Sequence, residues 1–272
     1  MGLGLGKAIK SVLDKDFDLE IFRLEPPGER TMPPQLAFLL SQPAAPRGLQ
    51  FQHGFSSTDL SPSMSLKEGD ALTVHRRQTR DTTDAARGRT AYRRGVHTWE
   101  ITWPTEQRGT HAAVGVATSD APLEVTGYVA LVGRGRESWG WDLGRCKAYH
   151  DAVDCPGRPY PAHLLPCESF HVPERVVMVL DMEEGTLSFV VDGKYLGVAF
   201  SGLRGKTLYP AVSAVWGNCE IKMRYINGIE PGPLPLDELC RRSIRNCLGN
   251  DRLEEINALA LPTLIKRYLH YN

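Results

Sequence analysis

From Gly54 to Asn227 the chain runs in short segments of alternating polarity, parted by glycine, proline, asparagine and aspartate. Alternation has period two, the mark of a strand with one face buried and one face in water. His97–Trp103 reads most cleanly: Trp99, Ile101 and Trp103 fall on one face, and Thr98, Glu100 and Thr102 on the other. Ala112–Ala117 and Val176–Leu180 are apolar nearly throughout, as strands covered on both faces are. Leu187–Val191 runs into Asp192-Gly193 and returns through Lys194–Leu196, a strong two-residue hairpin signal. Leu208–Val215 and Glu220–Ile226 complete the series. With many short strands, few helices and no βαβ rhythm, the expected fold class is mainly β, an antiparallel β-sandwich.

Charge and cysteine usage remove several function classes. The 32 basic side chains balance the 32 acidic ones to a formal net charge of zero. A nucleic-acid or membrane-surface binder needs a strong positive field, so neither is expected. The six cysteines (Cys146, Cys155, Cys167, Cys219, Cys240 and Cys247) are too sparse for a disulfide scaffold. The sequence carries no secretory signal, long apolar run or Asn-x-Ser/Thr site, so the expected setting is cytoplasmic, with nuclear access open. The opening Met-Gly lacks the serine or threonine at Gly6 that would favour myristoylation.

No arrangement points to catalysis, a cofactor or a metal. There is no Gly-x-Ser-x-Gly elbow and no His-Glu-x-x-His helix. Gly205-Lys206-Thr207 resembles the end of a phosphate loop, but Phe200 occupies the position of its first glycine. Gly133-Arg134-Gly135-Arg136-Glu137-Ser138 lacks the last glycine of a dinucleotide site. Cys146, His150, Cys155, His163 and Cys167 contain no Cys-x-x-Cys pair, so a structural zinc is not expected. From His75 to Arg94 seven arginines face Asp81 and Asp84, and seven minus two leaves an excess of five positive charges. Such a stretch is either a solvated loop or a surface whose guanidinium forks suit carboxylates.

Three parts are expected: a variable arm over 1–34, a sandwich over 35–230 and a helical appendage over 231–272. In the arm, Pro26-Pro27-Gly28 and Pro33-Pro34 are read as chain breaks. In the appendage, Leu236, Leu239, Cys240, Ile244, Cys247 and Leu248 recur at intervals of three and four, one face of a helix. Gly249-Asn250 ends that helix, and Asp251 caps a second one through Glu255. A third follows Pro262, with Leu264, Ile265, Tyr268 and Leu269 on its apolar side. Helices this short cannot bury all their apolar stripes on one another, so some of that surface faces the sandwich or a partner.

The appendage resembles a SOCS box. Leu236-x-x-Leu239-Cys240-Arg241-Arg242-x-Ile244 is similar to its elongin-binding segment, and Leu259-Ala260-Leu261-Pro262-x-Leu264-x-x-x-Tyr268-Leu269 to its cullin 5 segment. The sandwich resembles a SPRY domain through Gly95–Glu100, Val114–Ala117, Ser138-Trp139-Gly140-Trp141-Asp142, Asp181–Phe189 and Leu208–Val212. The two in this order resemble the SPRY domain-containing SOCS box proteins, over about residues 48–272.

That resemblance implies a non-catalytic substrate-recognition adaptor of an elongin–cullin 5 ubiquitin ligase. It implies elongin C and elongin B as partners at Leu236, Leu239, Cys240 and Ile244, with Cys240 filling a pocket on elongin C. It implies cullin 5 and its RING subunit at Leu261, Pro262, Leu264, Tyr268 and Leu269. A peptide resembling Asp-Ile-Asn-Asn-Asn is expected at Arg76, Thr110, Tyr128, Val215, Trp216 and Gly217, with Arg76 pairing its aspartate. Inducible nitric oxide synthase and Vasa-type helicases are targets of that kind. The alternative is an interaction scaffold whose box has lost its ligase function. Two departures bear on these expectations. Where the family has proline the cullin segment has Ala260, and losing that restraint costs roughly 0.4–1 kcal/mol. In the peptide loop, Gln78, Arg80 and Asp81 stand where the family carries proline, alanine and glutamine, which predicts altered peptide preference.

Overall fold

The computed structural model describes residues 31–153, 156–162, 170–229, 240–241, 243–244, 248 and 255–270. Two antiparallel sheets make up the larger unit, Met1–Ile229, and a smaller unit spans Glu230–Asn272.

The first sheet takes β1 (Phe55–Leu60), β4 (Thr82–Gly88) and β6 (Ala112–Ala117) from the amino-terminal half. It adds β7 (Glu124–Thr126), β8 (Ser138–Asp142), β9 (Lys147–His150), β10 (Arg158–Pro159) and β14 (Tyr209–Ala214). Their order is β1-β4-β14-β6-β8-β9-β10, with β7 also paired to β4. The second sheet holds β2 (Met64–Lys67), β3 (Asp70–Arg76), β5 (Val96–Thr102) and β11 (Arg175–Asp181). It is completed by β12 (Thr186–Val191), β13 (Lys194–Phe200) and β15 (Cys219–Ile229), in the order β13-β12-β11-β5-β15-β3-β2. Neighbours such as β5 and β15 are far apart in sequence, so the sheets close only when the whole domain does.

The alternation seen in the sequence sets the core. Trp99, Ile101 and Trp103 are completely buried, and so is Trp141 from the other sheet. Each of these indoles still finds an acceptor: Trp99 Nε1 donates to the His53 carbonyl at 3.2 Å, Trp103 to Gln107 at 3.1 Å and Trp141 to Tyr160 at 3.2 Å. A buried N–H left unpaired would offset much of what ring burial contributes, so these acceptors are part of why the core tolerates tryptophan. The hairpin falls where Asp192-Gly193 predicts it, with φ of 50° and 74° at the two turn residues. At Gly115 a Cβ would lie 1.8 Å from the Trp139 carbonyl oxygen, so only glycine lets β6 and β8 come together.

Pro34 does something other than break the chain, while Pro26 and Pro27 lie outside the described residues. Pro34 opens α1 (Pro34–Ser41) at its first turn, where a missing N–H is no loss and the fixed φ suits the helix. Leu36 and Leu39 then bury against Val96, Val179 and Val190 on the outside of the second sheet. A short helix, α2 (Arg47–Gln52), follows. The Ala8–Phe22 stretch lies outside the described residues.

In the smaller unit Cys240, Arg241, Ser243, Ile244 and Leu248 are helical, and residues 255–258 form a 3₁₀ turn. The helix expected after Pro262 is present as α3 (Thr263–His270). The Arg241 guanidinium sits over the Tyr268 ring, 5.4 Å from its centroid. Leu236, Leu239, Cys247 and the Asp251 cap lie outside the described residues.

Candidate functional site

The stem of the site is a buried ion pair. β3 ends at Arg76 and β4 begins at Thr82, so the loop 77–81 joins the two sheets at one end of the sandwich. Arg76 is completely buried, and its Nε donates to Asp84 Oδ2 at 2.7 Å. Its Nη2 donates to Thr79 Oγ1 at 2.7 Å and to the Thr82 carbonyl at 2.9 Å. Ser61 Oγ donates to the other Asp84 oxygen at 2.8 Å. Arg76, expected to pair a ligand aspartate, thus has its Nε and Nη2 held within the protein, while its Nη1 is buried without a partner among the described residues. Its charge is already answered by Asp84, and no solvent-exposed part of the guanidinium remains.

The arginine-rich stretch is likewise not one solvated loop. Arg87 is buried in β4, where its Nη1 donates to the carbonyls of Thr118, Ser119 and Ala121. Arg80 is exposed and has no side-chain partner among the described residues. Of the stretch, it stands closest to the loop's tip as a cation open to solvent.

Above this stem the remaining expected residues come together. The Asn218 amide donates to the Arg76 carbonyl at 2.9 Å, fastening the 215–218 turn beside the 77–81 loop. Gly217 faces Gln78 so closely that a Cβ there would lie 2.9–3.0 Å from three Gln78 atoms. Gly109, at φ 61°, likewise leaves room for Trp216 and Val215, which a Cβ would meet at 3.1–3.4 Å. Thr110 follows it, exposed. From the third side the Asp81 amide donates to the Tyr128 hydroxyl at 3.0 Å. Asp81 itself turns at φ 58°, a left-handed conformation that aspartate tolerates better than most side chains.

The result is a shallow rim of backbone groups walled by two aromatic rings. Tyr128 is 50% exposed and Trp216 49%, unusual for rings of that size. Val215, next to Trp216 in the chain, is buried. Sequence reasoning missed Asp84, Thr79 and Thr82 as the polar floor, and Gly109 as the residue that seats Trp216. A signal was present for the first: an acid eight residues after Arg76, on the strand that follows across the 77–81 loop.

Nothing in this rim resembles an acid–base or nucleophilic set. Burial pushes the Cys219 thiol, next to the stem, up to about 11, so no thiolate forms there near neutral pH. Among the described residues no group of histidine, cysteine and acidic side chains is arranged to hold a metal ion.

Comparison with known proteins places this geometry. The SPRY domain family matches residues 96–225 and the SOCS box family residues 232–270. The chain is 51% identical to human SPRY domain-containing SOCS box protein 1 over 272 residues, covering both chains in full. The chain belongs to the SPRY domain-containing SOCS box proteins. It is also 55% identical to Protein gustavus of Drosophila melanogaster, over 88% of this chain and 86% of that one. To human SPRY domain-containing SOCS box protein 2 it is 51% identical, over 88% of this chain and 90% of that one. Membership in the SPRY domain-containing SOCS box proteins makes the chain a substrate-recognition adaptor built from a SPRY sandwich and a SOCS box.

Within the box, Cys240 is exposed and Ile244 half-buried. Leu264 is 77% exposed and Ile265 39%, while Leu269 is buried and Leu261 and Tyr268 are half-buried. Pro262, before α3, is exposed.

Proposed function

We propose that the rim at Tyr128 and Trp216 binds an extended Asp- and Asn-containing segment of a target protein. The SOCS box then docks elongin C, elongin B and cullin 5 with its RING subunit, so that the target is ubiquitinated for proteasomal degradation. The observation that carries the first half is the pair of half-exposed aromatic rings over a floor of committed polar groups. Asparagine side chains offer two donors and an acceptor, and a preformed rim of backbone groups discriminates by leaving wrong side chains unpaired. Supporting the second half, Leu264 and Ile265 present apolar surface on α3.

No bond is made or broken by the chain in this reading. It acts by effective concentration, turning the meeting of target and charged ubiquitin carrier into an intramolecular event.

The loop departures modify the preference. Gln78 fills the space against Gly217, Arg80 adds an open cation and Asp81 an open carboxylate. Affinity for an Asp-Ile-Asn-Asn-Asn peptide is therefore weakened relative to the family pattern, because Asp81 repels the peptide's aspartate. Calorimetric titration of that peptide against the whole protein tests this. Weak binding, lost altogether in Trp216→Ala and Tyr128→Ala, is expected; tight wild-type binding would contradict the altered preference. Co-purification with elongins and cullin 5 separates the ligase adaptor from a scaffold with a silent box, a reading to which Ala260 lends weight.

A further inference from the structure

A second concave site lies directly beside the rim, on the outer face of the first sheet. His111, Tyr149 and Arg145 rise from that face, and Val129 and Arg134 close it from the segment that crosses over the strands. Val153 forms the remaining edge, and the cavity is about 160 Å³. That segment is pressed close, since a Cβ on Gly140 would lie 2.1 Å from the Val132 carbonyl oxygen.

The polar groups here are arranged as donors. Arg145 Nη1 donates to His111 Nε2, and the opposite ring nitrogen, Nδ1, faces Thr110 Oγ1 at 3.1 Å. His111 is neutral at physiological pH, because burial and then the adjoining Arg145 bring it from 6.5 to about 4. Arg134 has no side-chain partner among the described residues. Among the described residues no carboxylate lines the cavity. Two acids stand nearby but outside the lining, and the charge of Asp142 acts on Arg145. Asp142 is buried and accepts from the amides of Gly144 and Arg145 at 3.0 and 3.1 Å, and Asp151 pairs with Arg136 at 3.0 Å. Two guanidinium groups therefore line one small cavity, and among the described residues the nearest carboxylate acting on them, Asp142, lies outside the lining.

Its position links it to the rim. Val129 follows Tyr128 in the chain, and His111 follows Thr110 and bonds to it. A peptide lying across Tyr128 and Thr110 advances about 3.3 Å per residue, so a neighbour of the motif reaches the cavity within a few residues.

We propose that this cavity is an anion subsite, taking an acidic side chain that flanks the core motif of the same bound peptide through Arg134 and Arg145. The inference rests on the peptide-binding reading of the rim. Guanidinium forks pair carboxylate or phosphate oxygens, and a short acidic side chain fits the volume. Val129 and Val153 cover its methylene stem.

The test is calorimetry on the full chain with core-motif peptides, in which one flanking position is glutamate, glutamine or phosphoserine, walked along both sides of the motif. At one position the glutamate peptide is expected to bind about five- to tenfold tighter than the glutamine peptide, as a partly exposed charged hydrogen bond gives. Arg134→Gln and Arg145→Met should each reduce that ratio toward one, with circular dichroism unchanged for Arg134→Gln. Phosphoserine binding tighter than glutamate assigns the site to a phosphorylated target, and the reverse to an acidic one; either supports a subsite. Equal affinity for glutamate and glutamine at every position overturns the subsite and leaves the rim standing. A preference that survives both substitutions but is lost in Arg80→Ala also overturns it, moving the anion to the 77–81 loop. Failure of every peptide to bind overturns the rim itself, and the subsite with it.

Discussion

Arg76 and Asp84 show how much a single pair can decide in this fold. Two charges taken wholly out of water repay their desolvation only with good geometry and further hydrogen bonds; Thr79, Thr82 and Ser61 supply several of those, while Arg76 Nη1 stays buried without one among the described residues. Removing one partner strands the other, so Asp84→Ala is expected to cost about 3–5 kcal/mol in chemical denaturation, and Arg76→Leu a similar amount. Replacing both with apolar residues should cost less than either single change. Two histidines give a pH dependence with a defined sign. His111 and His150 are both held below the ordinary histidine value, chiefly by burial, so below about pH 6.5 the unfolded chain takes up protons that the folded chain does not. Stability should fall as pH drops from about 6.5 toward 4, and His111→Gln should flatten that slope in thermal melts at stepped pH. Neither effect was legible from residue type. The sequence displays seven arginines in one stretch, but whether a guanidinium is buried in a strand or free at a loop tip depends on which strands pair.

At the scale of elements the sequence was far more readable. Trp99, Ile101 and Trp103 share the inward face that their alternation predicts, and Asp192-Gly193 makes the turn its chemistry demands. Pro34 was misread because proline ends helices more visibly than it begins them, and only Leu36 and Leu39 finding Val179 and Val190 distinguishes the cases. The 77–81 loop is held at its tip by the Asp81 amide and the Tyr128 hydroxyl. Tyr128→Phe deletes that acceptor but keeps the ring; it should loosen the loop by about 0.5–1.5 kcal/mol. Amide hydrogen exchange at Asp81 checks this, with faster exchange expected. In the box, Ala260→Pro restores the rigid segment before α3. It is expected to strengthen cullin 5 binding about two- to fivefold, the equivalent of 0.4–1 kcal/mol, measured by biolayer interferometry on the elongin-bound protein.

For the whole molecule the division into two units has a direct consequence. Met1–Ile229 carries the rim and Glu230–Asn272 the box, so damage to one should leave the other working. Leu236→Asp combined with Cys240→Phe is expected to abolish co-purification of the elongins while leaving peptide affinity within about twofold. Trp216→Ala should do the opposite. The sandwich and the box were both legible because each announces itself in local phrases. The rim was legible only through family resemblance, since Tyr128, Thr110, Gln78 and Trp216 sit on four different loops. The ladder between β3 and β15 brings the Gln78 and Trp216 loops together, β7 on β4 brings Tyr128, and β6 on β14 brings Thr110, all long-range pairing that no local window contains.

That ladder also governs how such a protein can change its customers. The Arg76 carbonyl holds the Asn218 amide, and the Arg76 guanidinium holds Asp84, so the stems of both loops are tied off below residues 78–81. Beyond the tie only Thr79 reaches back to the ion pair, through Arg76 Nη2, while the Arg80 side chain stands open to solvent. Arg80 can therefore be rewritten with little effect on the sheets, whereas a change at Gln78 must still fit against Gly217 and one at Asp81 must tolerate a left-handed turn, so customers change first at position 80.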